Sequence, residues 1–162
     1  AASDVYKRQG LVSAVVTQNI DMLHQRAGSQ TVIELHGSPA WHSCQACGRQ
    51  YPYEWAWERV HRDGTPRCDD CRDVVKPDVT FFGEMLPEGA LERACELAAE
   101  AELMLVLGSS LQVQPAASVP LVTVRCGGKL VIVNKGETPL DRQATLRYDD
   151  LEAVFQHLAE AI

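Results

Sequence analysis

The chain has 162 residues, 46% apolar and 23% charged, the proportions of one ordinary globular core with room for a small satellite. A formal net charge of −7 argues against a nucleic-acid backbone as the main partner, while leaving basic proteins as possible substrates. No apolar run approaches the ~18 residues of a membrane span, so no membrane contact is expected.

Residues 1 to 9 show no usable periodicity and are set aside as a possible remnant. Residues 10 to 17 predict a first strand, because Ser13-Ala14-Val15-Val16 is mostly apolar and β-branched. Ile20, Leu23 and Ala27 keep a helical spacing, with Gly28 placed to end that helix. Residues 31 to 35 predict a second strand. From Trp41 to about Asp73 the composition turns to Cys, Arg, Asp and aromatics, including all three Trp, with a helix over residues 53 to 61. This stretch reads as an inserted module, 41–73. Residues 74 to 82 return to an extended pattern. Pro87 is expected in the first turn of a helix whose apolar face is Leu91, Ala94, Cys95 and Ala98. A strand over 103 to 107 follows. Pro115 is expected to open another helix, and Pro120 to end or kink it. A strand over 129 to 133 and a short one near 145 to 147 come next. Leu151, Val154, Phe155, Leu158 and Ile162 predict a final amphipathic helix, capped by Asp149 or Asp150. Strands alternating with helices predict an α/β fold with a parallel sheet, built from 10–40 and 74–162.

In such sheets, ligands bind in the crevice beyond the strands' carboxyl ends. Four strands here end in polar or small residues: Thr17 to Asp21, His36, Gly108-Ser109-Ser110, and Asn134. Each has an ordinary reading as well. Asn19 and Asp21 suit a turn and a helix cap. His36 beside Gly37 suits a loop, yet an imidazole grouped with other strand-end residues suits acid–base work near neutral pH. Gly108-Ser109-Ser110 can offer N–H groups and hydroxyls to a phosphate, or simply turn the chain. Asn134 can bond a ribose or cap a turn. Residues 79 to 84 fit an exposed edge that adds a peptide strand, and equally a buried connecting strand.

The chain has six cysteines. Cys44-x2-Cys47 and Cys68-x2-Cys71, with 20 residues between the pairs, have the spacing of a four-thiolate zinc site. Disulfides or free thiols are the alternatives. Four protein ligands leave no open position, so the expected zinc role is structural. Thiols kept for a metal fit a reducing compartment, and a cytoplasmic location is expected. Cys95 reads as core and Cys126 as inert.

Taken together, these residues resemble the sirtuin family of NAD-dependent protein deacylases. The matching pieces run in the family's order from about Gly10 onward: Thr17-Gln18-Asn19-Ile20-Asp21, His36-Gly37, the cysteine quartet, Lys76-Pro77-Asp78-Val79-Thr80-Phe81-Phe82-Gly83-Glu84, Gly108 to Ala116, and Asn134. The resemblance implies a Rossmann-like sheet carrying the small zinc-binding module. It implies NAD and Zn as cofactors and an acylated-lysine protein or peptide as substrate. It places Asn19 and Asp21 at the nicotinamide pocket and Gln18 at the nicotinamide ribose. Gly108, Ser109 and Ser110 would hold phosphate and ribose, and Asn134 the adenosine ribose. Thr80, Phe82, Gly83 and Glu84 would line the acyl-lysine tunnel. His36 would be the general base, taking a proton from a ribose hydroxyl after the acyl oxygen attacks and nicotinamide leaves.

Three departures accompany the resemblance. Thr80 stands where the family usually has Val, which leaves the acyl preference open, and Ser109 stands where it usually has Thr. Nothing here matches the family's opening Gly-rich strand–turn–helix, so a fragment lacking one wall of the cofactor crevice is expected. Two other functions remain as readings: a non-catalytic zinc-stabilised peptide-binding module, and a protein ADP-ribosyltransferase sharing the cofactor.

Overall fold

A computed structural model describes residues 12 to 160. The expected strand residues Gly10 and Leu11, and Ile162 of the last helix, lie outside the described residues. The chain runs β1 (Val15–Thr17), a one-turn helix α1 (Leu23–Arg26), β2 (Val32–Glu34), β3 (Gly37–Cys44), β4 (Gln50–Pro52) and α2 (Tyr53–Asp63). It continues through β5 (Val75–Val79), α3 (Ala90–Glu100), β6 (Leu103–Leu107), a 3₁₀ turn over Ala116–Ser118 and α4 (Val119–Arg125). It closes with β7 (Lys129–Val133), a 3₁₀ turn over Asp141–Gln143, β8 (Leu146–Tyr148) and α5 (Leu151–Glu160).

The expected single parallel sheet is divided. β1 pairs with β2, and β6-β7-β8 forms a separate three-stranded sheet, both parallel. A helix layer spans the two. Leu35, Ala94, Ala98, Ala116 and Val119 form one cluster over β1–β2, with Val16 and Ile33 packed against it. Val106, Leu111, Ala117, Leu130, Ile132 and Leu140 form the other, over β6–β7. Met104 packs against both, so β6 reaches the β1–β2 core although no ladder joins the sheets among the described residues. The buried Thr123 hydroxyl donates to Ala98 O at 2.7 Å, tying α4 to α3. Buried polar groups hold position only when paired, and this one is.

The third sheet, ordered β4-β3-β5, is antiparallel. It runs from residue 37 to 79, so its strands pass both expected module limits. Residues 44 to 75 supply its core of Cys44, Tyr51, Cys68 and Val75, with Trp55 packed against it.

Two proline expectations are corrected. Pro87 lies outside α3, in a turn closed by Ala90 N–H to Pro87 O, and the helix opens after Gly89 at φ 73°. Pro120 starts α4 rather than ending a helix, because its missing N–H falls among donors that a first turn leaves unpaired anyway. Asp150, not Asp149, caps α5 through Ala153 N–H at 3.0 Å.

Candidate functional site

β1 and β2 run parallel, so Thr17 and Glu34 end side by side and the next residues emerge together. The Asn19 N–H bonds the buried Thr17 hydroxyl at 3.1 Å. Asp21 Oδ1 accepts the Leu23 N–H at 2.9 Å, an Asx turn just ahead of α1. Both are the ordinary turn roles, and both leave Asn19 and Asp21 exposed at the strand ends.

His36 follows β2, half-buried, with Nδ1 3.0 Å from the Gln18 carbonyl. A carbonyl oxygen only accepts, so Nδ1 carries a hydrogen, and in the neutral ring Nε2 holds the lone pair. The His36 carbonyl in turn accepts the Thr80 N–H at 2.9 Å. Gln18, His36 and Thr80, distant in sequence, are thus joined. Gly37 sits beneath them at φ 72°, where an added Cβ would lie 2.1 Å from Asp78 O. Only glycine fits such a close approach.

Residues 80 to 84 are not the strand that the extended pattern predicts. β5 stops at Val79, and a turn closes through Glu84 N–H to Phe81 O at 3.0 Å. Gly83 takes φ 88° within this turn. The Glu84 carboxylate accepts the Phe81 N–H at 2.9 Å and the Lys76 ammonium at 3.1 Å. Those two bonds hold its pKa below the ordinary carboxylate value. Phe82 stands fully in solvent.

The other predicted group lies at the ends of β6 and β7. The Gly108 N–H bonds Val133 O, and the Asn134 N–H bonds Tyr148 O, each at 2.9 Å. Ser109 Oγ accepts the Leu111 N–H at 3.2 Å, and Leu111 is buried with φ 53°. Asn134 Nδ2 donates to Gly136 O at 2.8 Å. Three residues that the sequence analysis did not single out hold the loop after Asn134. Asp141 accepts from the Thr138 hydroxyl at 2.6 Å and from Arg147 Nε at 3.0 Å, and Arg147 also donates to Gly136 O at 2.5 Å. The Thr138 hydroxyl, then Arg147, keep the Asp141 pKa low. No motif marks these residues; only the loop's closure brings them together. Among the described residues no hydrogen bond joins the Gln18–His36–Thr80 group to the Gly108–Asn134 group. What they share is position: Gln18, His36, Gly108 and Asn134 each follow the carboxyl end of a parallel strand.

The four predicted metal cysteines converge, with all Sγ atoms within 4.8 Å of one another. Cys44 and Cys71 are 3.3 Å apart, Cys47 and Cys68 3.6 Å. Tetrahedral Zn–S bonds of ~2.3 Å place sulfurs ~3.8 Å apart, so the quartet fits zinc. The Cys71 amide, with the Tyr51 hydroxyl at 3.2 Å, brings the Cys68 thiol down to about 6. Against the lowering pull of the Asp73 amide, the neighbouring thiols push Cys71 up to about 12. Four sulfurs this close cannot all ionise without a cation between them. All six cysteines are free thiols, and no helix among the described residues is long and apolar enough to cross a membrane.

A Sir2 family model matches residues 3–115. The chain is 54% identical over 143 residues to an NAD-dependent protein deacetylase of Thermotoga maritima, covering 88% of this chain and 58% of that protein. It is 49% identical over 135 residues to NAD-dependent protein deacetylase 1 of Pyrobaculum aerophilum, covering 83% of this chain and 53% of the relative. The chain therefore spans a little over half the length of these curated relatives. Among solved structures, Sir2 with a p53 peptide and NAD+ superposes with a TM-score of 0.94 at 49% identity, covering 99% of this chain and 67% of that one. Sir2Tm bound to a propionylated peptide gives the same score and identity, covering 68% of its chain.

Proposed function

The chain belongs to the Sir2 family, and from that premise we propose that it is part of an NAD-dependent protein-lysine deacylase. When bound, NAD supplies the ADP-ribosyl group that receives the acyl group as nicotinamide is lost. Gln18, Asn19 and Asp21 line the nicotinamide end of the crevice. Gly108, Ser109 and Ser110 hold phosphate and ribose through N–H groups and hydroxyls at the end of β6. Asn134 holds the adenosine ribose. Thr80, Phe82, Gly83 and Glu84 receive the acyl-lysine peptide, and His36 takes the ribose proton. Cys44, Cys47, Cys68 and Cys71 hold a structural Zn. A reducing, cytoplasmic setting is part of this proposal, supported by the six free thiols.

One observation carries the catalytic part. The Gln18 carbonyl fixes the Nδ1–H tautomer of His36, leaving Nε2 basic, and the Thr80 amide anchors the same residue to the peptide-binding turn. A base so oriented contributes roughly 10²–10⁴ in rate. The test is nicotinamide release from NAD with an acetyl-lysine peptide, using a protein of the relatives' full length that contains this chain. His36→Ala is expected to lower turnover at least ~100-fold. Equal activity in both proteins would reject His36 as the base.

A further inference from the structure

We propose that Lys76 is a positioning residue that closes the open edge of β5 and so sets where a peptide strand can add. Among the described residues, β5 is an edge strand of its sheet. Its backbone groups alternate between β3 and solvent. The Gln45 N–H bonds Val74 O, and the Thr80 N–H bonds His36 O, so the pairs Cys44–Val75 and Gly37–Val79 are of the non-hydrogen-bonded kind. The same alternation makes His42–Pro77 such a pair. The carbonyls of Pro77 and Val79 therefore face outward, away from β3. Proline adds no N–H at that edge.

Lys76 Nζ reaches both outward carbonyls, 3.2 Å from Pro77 O and 2.7 Å from Val79 O. Its third donor goes to Glu84 Oε2 at 3.1 Å, and the ammonium lies 4.5 Å from the centre of the Phe81 ring. An ammonium has three donors, and all three are used within its own segment. It has none left for a ligand, so it acts through the edge it closes. An incoming strand finds no free acceptor at residues 77 and 79. Lysine on an edge strand is a known device against unwanted pairing. Its two carbonyl contacts stop short of the turn at residues 80 to 84. Peptide addition is confined to that turn, next to the Thr80 amide that bonds His36. One register then brings the acyl-lysine to the base, because slipping a strand by one residue sends every side chain to the opposite face.

This inference rests on the deacylase reading, and the experiment separates the two. Zinc-loaded full-length protein is compared with its Lys76→Met and Lys76→Arg variants, using an acetyl-lysine peptide and NAD. Lys76→Met is expected to lower kcat and the peptide KM together at least fivefold, with kcat/KM for the peptide and the NAD KM within twofold, and Lys76→Arg to restore most of the loss. No change in Lys76→Met, or an equal change toward peptide and NAD, overturns the proposal. Should Lys76→Met fail to fold, amide exchange on the wild type decides. Peptide is expected to protect amides within residues 80 to 84 and to leave the outward Val79 N–H unprotected. Protection at Val79 overturns the proposal. A wild type that binds no acyl-lysine peptide rejects the deacylase reading, and the role of Lys76 falls with it.

Discussion

A single glycine sets how closely β3 approaches β5 beside His36. Gly37 follows His36 at φ 72°, and its missing Cβ leaves space for Asp78 O. Gly37→Ala meets both penalties: a left-handed backbone costs of order 1 kcal/mol for an L-residue, and a 2.1 Å approach to backbone forces β3 from β5. The expected result is a loss of roughly 2–3 kcal/mol in urea unfolding, with turnover reduced further than stability alone explains. A variant as stable and active as the wild type would show that the β3–β5 spacing is unimportant. Among the sequence candidates, Asn19, Asp21 and Asn134 all make local turn bonds. Such bonds satisfy the local backbone and preorganise it.

The metal module and the peptide turn make opposite use of their ions. Four residues form the buried core around the module, and two of them, Cys44 and Cys68, are themselves candidate ligands. With so little apolar burial left, zinc binding should supply on the order of 10 kcal/mol of folding free energy. Chelation is expected to unfold residues 41 to 73, seen as lost far-UV ellipticity and new protease cuts there. Unchanged spectra and cleavage would contradict a structural metal. The peptide turn depends instead on the Glu84 carboxylate. Its folded pKa is depressed by the Phe81 amide and Lys76. A depressed acid contributes stability above its unfolded pKa and loses it as pH falls through the folded value. The turn should therefore keep its amide protection at neutral pH and lose it in acid below the ordinary carboxylate range. Glu84→Gln should loosen the turn at neutral pH and abolish this acid transition. Persistence of the transition in Glu84→Gln would assign it to another group.

At the scale of the whole chain, the notable feature is a parallel sheet with one face largely exposed apart from the buried Val133. Parallel strands are normally covered on both sides. Met104, Val106, Leu130 and Ile132 face α4 and its neighbours. The alternate residues of β6, Leu103, Leu105 and Leu107, are 53%, 37% and 41% exposed. The β6–β7–β8 register sets Leu146 beside Val131 and Leu105, and Tyr148 beside Val133 and Leu107, extending the same face. Leu146 and Tyr148 are exposed too. An apolar face of this kind usually marks a contact or an aggregation liability. The 162-residue polypeptide by itself is expected to bind a hydrophobic dye and to self-associate. It is also expected to turn over acyl-lysine peptide poorly or not at all, since it spans 58% of the Thermotoga maritima relative. A dye-silent monomer with robust turnover would overturn both expectations.

The strands β6 and β7 were legible to the residue, because each is an apolar run of strand length bounded by polar residues, too short for an ordinary helix. The cysteine quartet was equally legible, since two Cys-x2-Cys pairs carry their geometry in their spacing. The order of motifs carried the family. Periodicity is silent about which edges pair, so the division into two parallel sheets, and the membership of residues 75 to 79 in the antiparallel one, came only with the tertiary structure. The roles of Pro87 and Pro120 depended on which N–H groups lacked partners, a question settled by helix boundaries rather than by proline itself. In the sequence Lys76 carries meaning only as part of a motif, and no motif marks Asp141 or Arg147. Folding gave them meaning by bringing backbone carbonyls and carboxylates within reach, and hydrogen bonding acts over distances that only three-dimensional proximity provides.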